Sequence, residues 1–217
     1  MRKSCWWNVV NEKDAARERR FQRVAASYKG AKQAEREALD REKALVERLK
    51  ASLEAEVPVR ELNLSSEEMR FVENYALLTA KPLIIVLNLG EEQGGTATAL
   101  EAEWARRYGR PRLGAMALCA RLEMELGQLA AQEAMEFRHS LGAPEQPAIN
   151  RLVQLSYQML GLASFLTVGE DEVRAWTVAE GTPAIKAAGK VHSDMERGFI
   201  RAEVISFDDM VRCGSLA

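Results

Sequence analysis

Leu83-Ile84-Ile85-Val86-Leu87-Asn88-Leu89-Gly90-Glu91 is five branched apolar residues followed at once by a polar, glycine-containing turn. The apolar run lacks the alternation of a half-exposed strand, so it predicts a β-strand covered on both faces, as in a parallel sheet. Open α/β sheets place ligand-binding loops at the carboxyl ends of such strands. Residues 88–91 are therefore the first candidate for a site.

Outward from this strand, residues 97–108 read as a helix and 113–118 as a second buried strand, a strand-helix-strand unit with the usual right-handed crossover. Residues 123–140 are expected to form one amphipathic helix with Leu126, Leu129, Ala130 and Phe137 inward. Leu141-Gly142-Ala143-Pro144 breaks the chain, and 149–162 reads as another helix carrying Leu152, Val153, Leu155, Tyr157 and Leu160. Two short strands around Gly169 follow, over 164–168 and 172–178. A helix is then expected from Ala184 to about Met195, a strand over 199–205 and a short helix from Asp208. Strand, strand, helix, strand is the opening of a β-grasp domain.

Upstream, residues 11–56 are dense in Arg, Lys, Glu and Ala and contain no Pro. Phe21, Val24, Ala25 and Tyr28 share one helical face, while Leu39, Val46 and Leu53 recur at seven-residue intervals with Leu49 between them. Gly30 separates the stripes, which predicts two antiparallel helices, a helical hairpin or short coiled coil. Val57-Pro58 should end the second helix, because Pro disfavours helix in the residue before it. Ser65-Ser66-Glu67-Glu68 has the form of a new helix start.

Of the 217 residues 47% are apolar, enough for real cores, and the formal charge of −2 gives no general attraction to nucleic acid. Cys5, Cys119 and Cys213 are odd in number and never spaced as CxxC, which argues against a disulfide framework and a zinc site. No segment approaches the ~18 uninterrupted apolar residues of a membrane span. A soluble, cytoplasmic protein without a membrane or DNA partner is expected.

Several segments together resemble the YchF/Obg-like ATPase family. Asn88-Leu89-Gly90-Glu91 stands where Ras-like nucleotide-binding folds carry Asn-Lys-x-Asp, and it resembles the variant of this family, whose members prefer ATP to GTP. A side-chain amide there can both donate to and accept from a purine edge. Cys119-Ala120-Arg121-Leu122-Glu123 matches the family's second base-side loop, Ser-Ala-Lys or Ser-Ala-Arg followed by Leu-Glu, with the leading hydroxyl lost. Cys119 also reads as a small buried apolar residue. The resemblance further covers Val57-Pro58-Val59-Arg60, Leu77-Leu78-Thr79-Ala80-Lys81-Pro82 and Gly169-Glu170-Asp171-Glu172-Val173-Arg174-Ala175-Trp176. It continues through Gly181-Thr182-Pro183-Ala184 and Gly189-Lys190-Val191-His192-Ser193-Asp194. This last region resembles the family's ubiquitin-like TGS domain, which is expected to continue past Gly214-Ser215-Leu216-Ala217 into two more strands.

The resemblance implies a fold that is α/β and α+β. A helical hairpin occupies 1–60, the C-terminal half of a Ras-like, doubly wound nucleotide-binding domain 61–145, and a linker helix with an incomplete β-grasp (TGS, ubiquitin-like) domain 146–217. It implies that Asn88, Leu89 and Glu91 contact adenine, that Cys119, Ala120 and Arg121 line the pocket, and that ATP with Mg2+ is the ligand of the intact family. Ribosomes or translation factors are the implied partners, with RNA contact through the TGS domain. The 217 residues contain no GxxxxGK[ST] to hold phosphates and no Asp-x-x-Gly for magnesium and the attacking water. Weak or absent ATP binding and no ATPase activity are therefore expected of this chain alone. The competing expectation is a non-catalytic adaptor that binds a ribosome or protein through its hairpin and β-grasp surface. His192, near Asp194 and Glu196, reads as a capping or packing residue, and Trp176 as core or as an aromatic that stacks on RNA beside Arg174.

Overall fold

The computed structural model of the chain describes residues 33–169 and 172–214. It divides into two compact units, one running to Leu83 and including Arg110–Arg112, the other comprising Ile84–Gly109 and Leu113–Ala217.

In the first unit, helix α1 (Gln33–Glu54) supplies Leu45 and Leu49, which pack with Val59, Val72 and Leu77 into a buried cluster flanked by Leu53, Leu62, Leu64, Phe71, Tyr75 and Ala80. The seven-residue stripe of Leu39, Val46 and Leu53 is only half-buried, because the seam that faces the core is Leu45, Leu49 and Ser52. The first arm of the expected hairpin, with Phe21, Tyr28 and Gly30, lies outside the described residues. Helix α1 closes with the Val57 N–H reaching back to the Ser52 carbonyl at 2.9 Å across Glu56, whose φ is 59°. A 3₁₀ turn, Val59–Glu61, carries Arg60 into the interior, where its guanidinium donates to the carbonyls of Thr79 and Lys81 at 3.4 and 3.2 Å. Burial pulls Arg60 below the usual guanidinium value, against the opposing charge of Glu61 and with help from Arg112.

Helix α2 (Ser66–Glu73) starts where the sequence predicts, on a capping box. Ser65 Oγ accepts from the Glu68 N–H at 3.2 Å, and Glu68 Oε2 accepts from the Ser65 N–H at 2.8 Å. Those backbone and side-chain bonds, with Arg48 alongside, hold the Glu68 carboxyl below its ordinary value although burial opposes them.

The second unit is built on strands β1 (Leu83–Asn88) and β2 (Leu113–Leu118), joined by a 3₁₀ turn (Glu91–Thr96) and helix α3 (Ala97–Tyr108). The Leu83 N–H bonds the Arg112 carbonyl and the Leu89 N–H bonds that of Leu118, so the two strands run parallel. β2 is the better covered, with Met116 and Ala117 fully buried beneath α3 and α6 (Ala148–Leu160). Gly114 permits that approach: a Cβ there would lie 3.3 Å from Leu155 Cδ1 and 3.4 Å from Met159 Sδ. β1 departs from expectation. Val86 is 44% exposed, because among the described residues β1 pairs on one side only and helices pack chiefly on its neighbour.

The single helix expected over 123–140 is two, α4 (Ala120–Leu126) and α5 (Ala131–Ser140). Gly127 caps α4, Leu129 stays exposed in the break, and Phe137 is 55% exposed. The chain turned after Leu126, so the apolar stripe does not continue along one axis. Helix α6 ends at Gly161 in the left-handed region, φ 60°, a conformation that costs glycine nothing. It leads into β3 (Leu162–Val168), paired antiparallel with β4 (Val173–Ala179) so that Phe165 opposes Trp176.

Helices α7 (Ala184–Val191) and α8 (Ser193–Arg197) replace the single helix expected over 184–195. His192 breaks them with extended backbone and caps α8, its Nδ1 accepting from the Asp194 N–H at 3.2 Å. The strand expected over 199–205 does not form. Ile200 and Val204 are 91% and 89% exposed, and among the described residues no ladder receives this β-prone run; propensity alone does not make a strand. Helix α9 (Phe207–Cys213) follows, capped by Ser206. No helix among the described residues is long and apolar enough to cross a membrane.

Leu49→Ala should lower the stability of the first unit by about 2–5 kcal/mol through the cavity it leaves. Urea unfolding followed by circular dichroism measures this, and a loss below about 0.5 kcal/mol would mean that α1 does not carry that core.

Candidate functional site

The loops that leave β1 and β2 meet. Helix α4 begins after Cys119, whose thiol makes no capping bond, so the first N–H groups of the helix need acceptors from elsewhere. Asn88, at the end of β1, supplies one: its Oδ1 accepts from the Ala120 N–H at 3.1 Å. Its amide nitrogen remains available as a donor on an exposed side chain. The Leu89 N–H is held by the Leu118 carbonyl at 2.8 Å, and the Gly90 N–H donates to Gln93 Oε1 at 3.3 Å. A second side-chain link joins the loops, Arg121 Nε to Glu91 Oε1 at 3.1 Å, and Arg121 also pairs with Glu125 at 3.1 Å. The hydrogen bond to Glu125, then the charges of Glu91 and Glu125, raise the Arg121 guanidinium above its ordinary value.

The structure thus brings residues 88–91 and 119–121 to one end of the parallel pair. Leu89 is half-buried and Cys119 is 6% exposed, packed with Leu122 and Leu126. The Cys119 thiol faces a core, so it offers the loop apolar packing rather than a hydroxyl. The Glu91 carboxylate is committed to Arg121, which leaves the Asn88 amide as the polar group best placed to read a flat heterocycle's edge. Among the described residues no three His, Cys, Asp or Glu side chains converge to hold a metal ion. Trp176 is half-buried, its Nε1 donating to Thr167 Oγ1 at 2.9 Å with the Arg174 guanidinium 4.3 Å from its ring centroid.

Sequence reasoning missed the polar frame around the loops. Glu101 on α3 accepts from the Ala117 N–H at 2.7 Å and pairs with Arg151 on α6. Glu123 on α4 takes both arms of Arg138, at 2.7 and 2.6 Å, and the Ala148 N–H at 3.1 Å. Arg138 is 5% exposed. Helix α5 carries Glu133 and Glu136 besides Arg138, and nothing in the spacing of these charges marks Arg138 as buried. Burial pushes the Glu123 carboxyl up, but the Arg138 and Ala148 hydrogen bonds and the charges of Arg138 and Arg151 outweigh it and hold the group below its ordinary value.

A family model described as YchF-GTPase_C, protein of unknown function (DUF933), matches residues 162–217. The chain is 36% identical over 205 residues to the ribosome-binding ATPase YchF of Bacillus subtilis, across 92% of this chain and 54% of that protein. It is 37% identical over 172 residues to the protein of the same name from Escherichia coli O157:H7, across 78% and 46%. The structure of the Schizosaccharomyces pombe YchF GTPase superposes with a TM-score of 0.77 at 25% identity, covering 94% of this chain and 55% of that one. The chain spans about half the length of the curated relatives it matches.

Glu123→Ala strands a buried guanidinium and should cost the second unit about 3–5 kcal/mol in urea unfolding. A depressed carboxyl contributes stability in full above its ordinary value, and that contribution disappears as pH falls through the lowered one. Unfolding measured between about pH 6 and pH 3 should therefore show an acid-dependent loss that Glu123→Gln reduces. An unchanged pH profile in that variant would remove Glu123 from the account.

Proposed function

Since the chain belongs to the YchF family, we propose that it supplies the base-recognition half of a nucleotide site in a ribosome-associated, cytoplasmic ATPase of that kind. The observation that carries this reading is the Asn88 to Ala120 hydrogen bond, which sets two loops with the family's motifs side by side at the carboxyl end of a parallel strand pair. Such an end is where open α/β sheets bind ligands. In this reading the Asn88 amide donates to the adenine edge, Leu89 packs on the ring, and the cross-linked Glu91 and Arg121 close the pocket's rim with Ala120 beneath. Bound ATP would supply the phosphoryl group, and phosphate-gripping residues would have to come from outside these 217, which contain no GxxxxGK[ST]. The β3–β4 hairpin with α7 corresponds to the start of a TGS-type β-grasp, and α1 to one arm of the hairpin that would contact the ribosome or a translation factor.

The competing reading is a ribosome- or protein-binding adaptor without catalysis. Titration of the 15N-labelled chain with millimolar ATP and GTP separates the two. Base recognition predicts amide shifts concentrated at residues 88–91 and 119–121, larger with ATP. Asn88→Ala should weaken the response about two- to tenfold, the worth of one hydrogen bond. No phosphate release from ATP is expected. Co-sedimentation with ribosomes and no ATP-induced shift would leave the adaptor.

A further inference from the structure

We propose that Glu123 is the positioning residue of the second base-side loop, holding residues 119–121 in place from behind through the buried fork of Arg138 and the amino terminus of α6. The inference rests on the base-recognition reading for its functional meaning, but its geometry stands separately.

Glu123 lies in the first turn of α4, and its N–H bonds the Cys119 carbonyl at 3.0 Å, so its backbone closes directly on the loop. Its side chain points the other way. Both carboxylate oxygens are engaged by the two arms of Arg138, and one also takes the Ala148 N–H. Ala148 is the first residue of α6, preceded by Pro147, which offers no side-chain cap. A carboxylate from another helix therefore does the capping, and a negative charge suits that terminus. Arg138 is itself fixed, almost wholly buried and within 3.5 Å of the Pro144 carbonyl. The fork-to-carboxylate geometry sets orientation as well as attraction.

The loop's other flank is tied to the same helix. Ala117, two residues before Cys119, gives its N–H to Glu101, and Glu101 is paired with Arg151 of α6. One polar link from α6 thus arrives just before the loop and another just after it. The loop's own ties forward, Asn88 to Ala120 and Glu91 to Arg121, join exposed residues. The buried anchor is behind. Without it α4 could turn about its axis and carry the Ala120 N–H away from Asn88 while the rest of the unit stayed folded.

The test compares Glu123→Gln and Arg138→Lys with the unaltered chain, using amide hydrogen exchange and millimolar ATP titration. Positioning predicts that the Ala120 amide exchanges at least about tenfold faster in both variants, while the β3–β4 ladder amides keep their protection. A merely structural role would accelerate all of these together. Apparent ATP affinity should fall about tenfold with the preference over GTP reduced. Should Glu123→Gln fail to fold, Arg138→Lys, which keeps the charge and loses the fork, decides. Unchanged Ala120 exchange, or a rise only in step with the ladder, overturns the proposal. If the unaltered chain ignores ATP, the base reading falls, and the exchange result still decides whether Glu123 positions the loop.

Discussion

A single backbone amide finding a side-chain acceptor thirty-two residues away organises the site: the Ala120 N–H on Asn88 Oδ1. Parallel strands cannot be joined by a tight turn, so their outgoing loops reach each other only after a crossover helix has been packed. The hydrogen bond therefore forms only if β1, α3 and β2 are all in place. It also answers a local need, because α4 starts on a cysteine that does not cap. A net worth of about 0.5–1.5 kcal/mol is small against the core, yet it selects which arrangement of the two loops exists.

What keeps that arrangement rigid is polar and lies behind the loops. The Glu123–Arg138 and Glu101–Arg151 pairs connect α3, α4, α5 and α6 around a strand whose centre, Met116 and Ala117, is buried. Buried ion pairs contribute little net stability when compared with well-packed apolar substitutes, but they penalise mispositioned alternatives heavily. Here each carboxylate also satisfies a backbone N–H, of Ala117 or Ala148, that would otherwise be orphaned. The frame thus specifies the position of residues 117–123 more than it strengthens the fold.

Local signals were legible where one short-range rule dominated. Ser65-Ser66-Glu67-Glu68 announced a helix start, residues 97–108 and 113–118 formed the helix and strand their patterns predict, and Gly169 marked the hairpin. The reading failed where distant partners decide. The strand expected over 199–205 has the residue types but no ladder, and the helix expected over 123–140 ignored how Gly127 ends α4. The stripe of Leu39, Val46 and Leu53 has heptad spacing, while the actual packing selects Leu45 and Leu49. The two candidate loops were visible as motifs. Arg138 was not, because a buried arginine on a helix of mixed composition is indistinguishable in sequence from a solvated one until its carboxylate partner is known.

A crystal structure of the chain grown with an adenine nucleotide tests the central claim most directly. The account predicts the base against Leu89, within hydrogen-bonding distance of the Asn88 amide, with the Asn88 to Ala120 bond intact. A base bound elsewhere on the second unit, or loops 88–91 and 119–121 drawn apart with that bond absent, would contradict it.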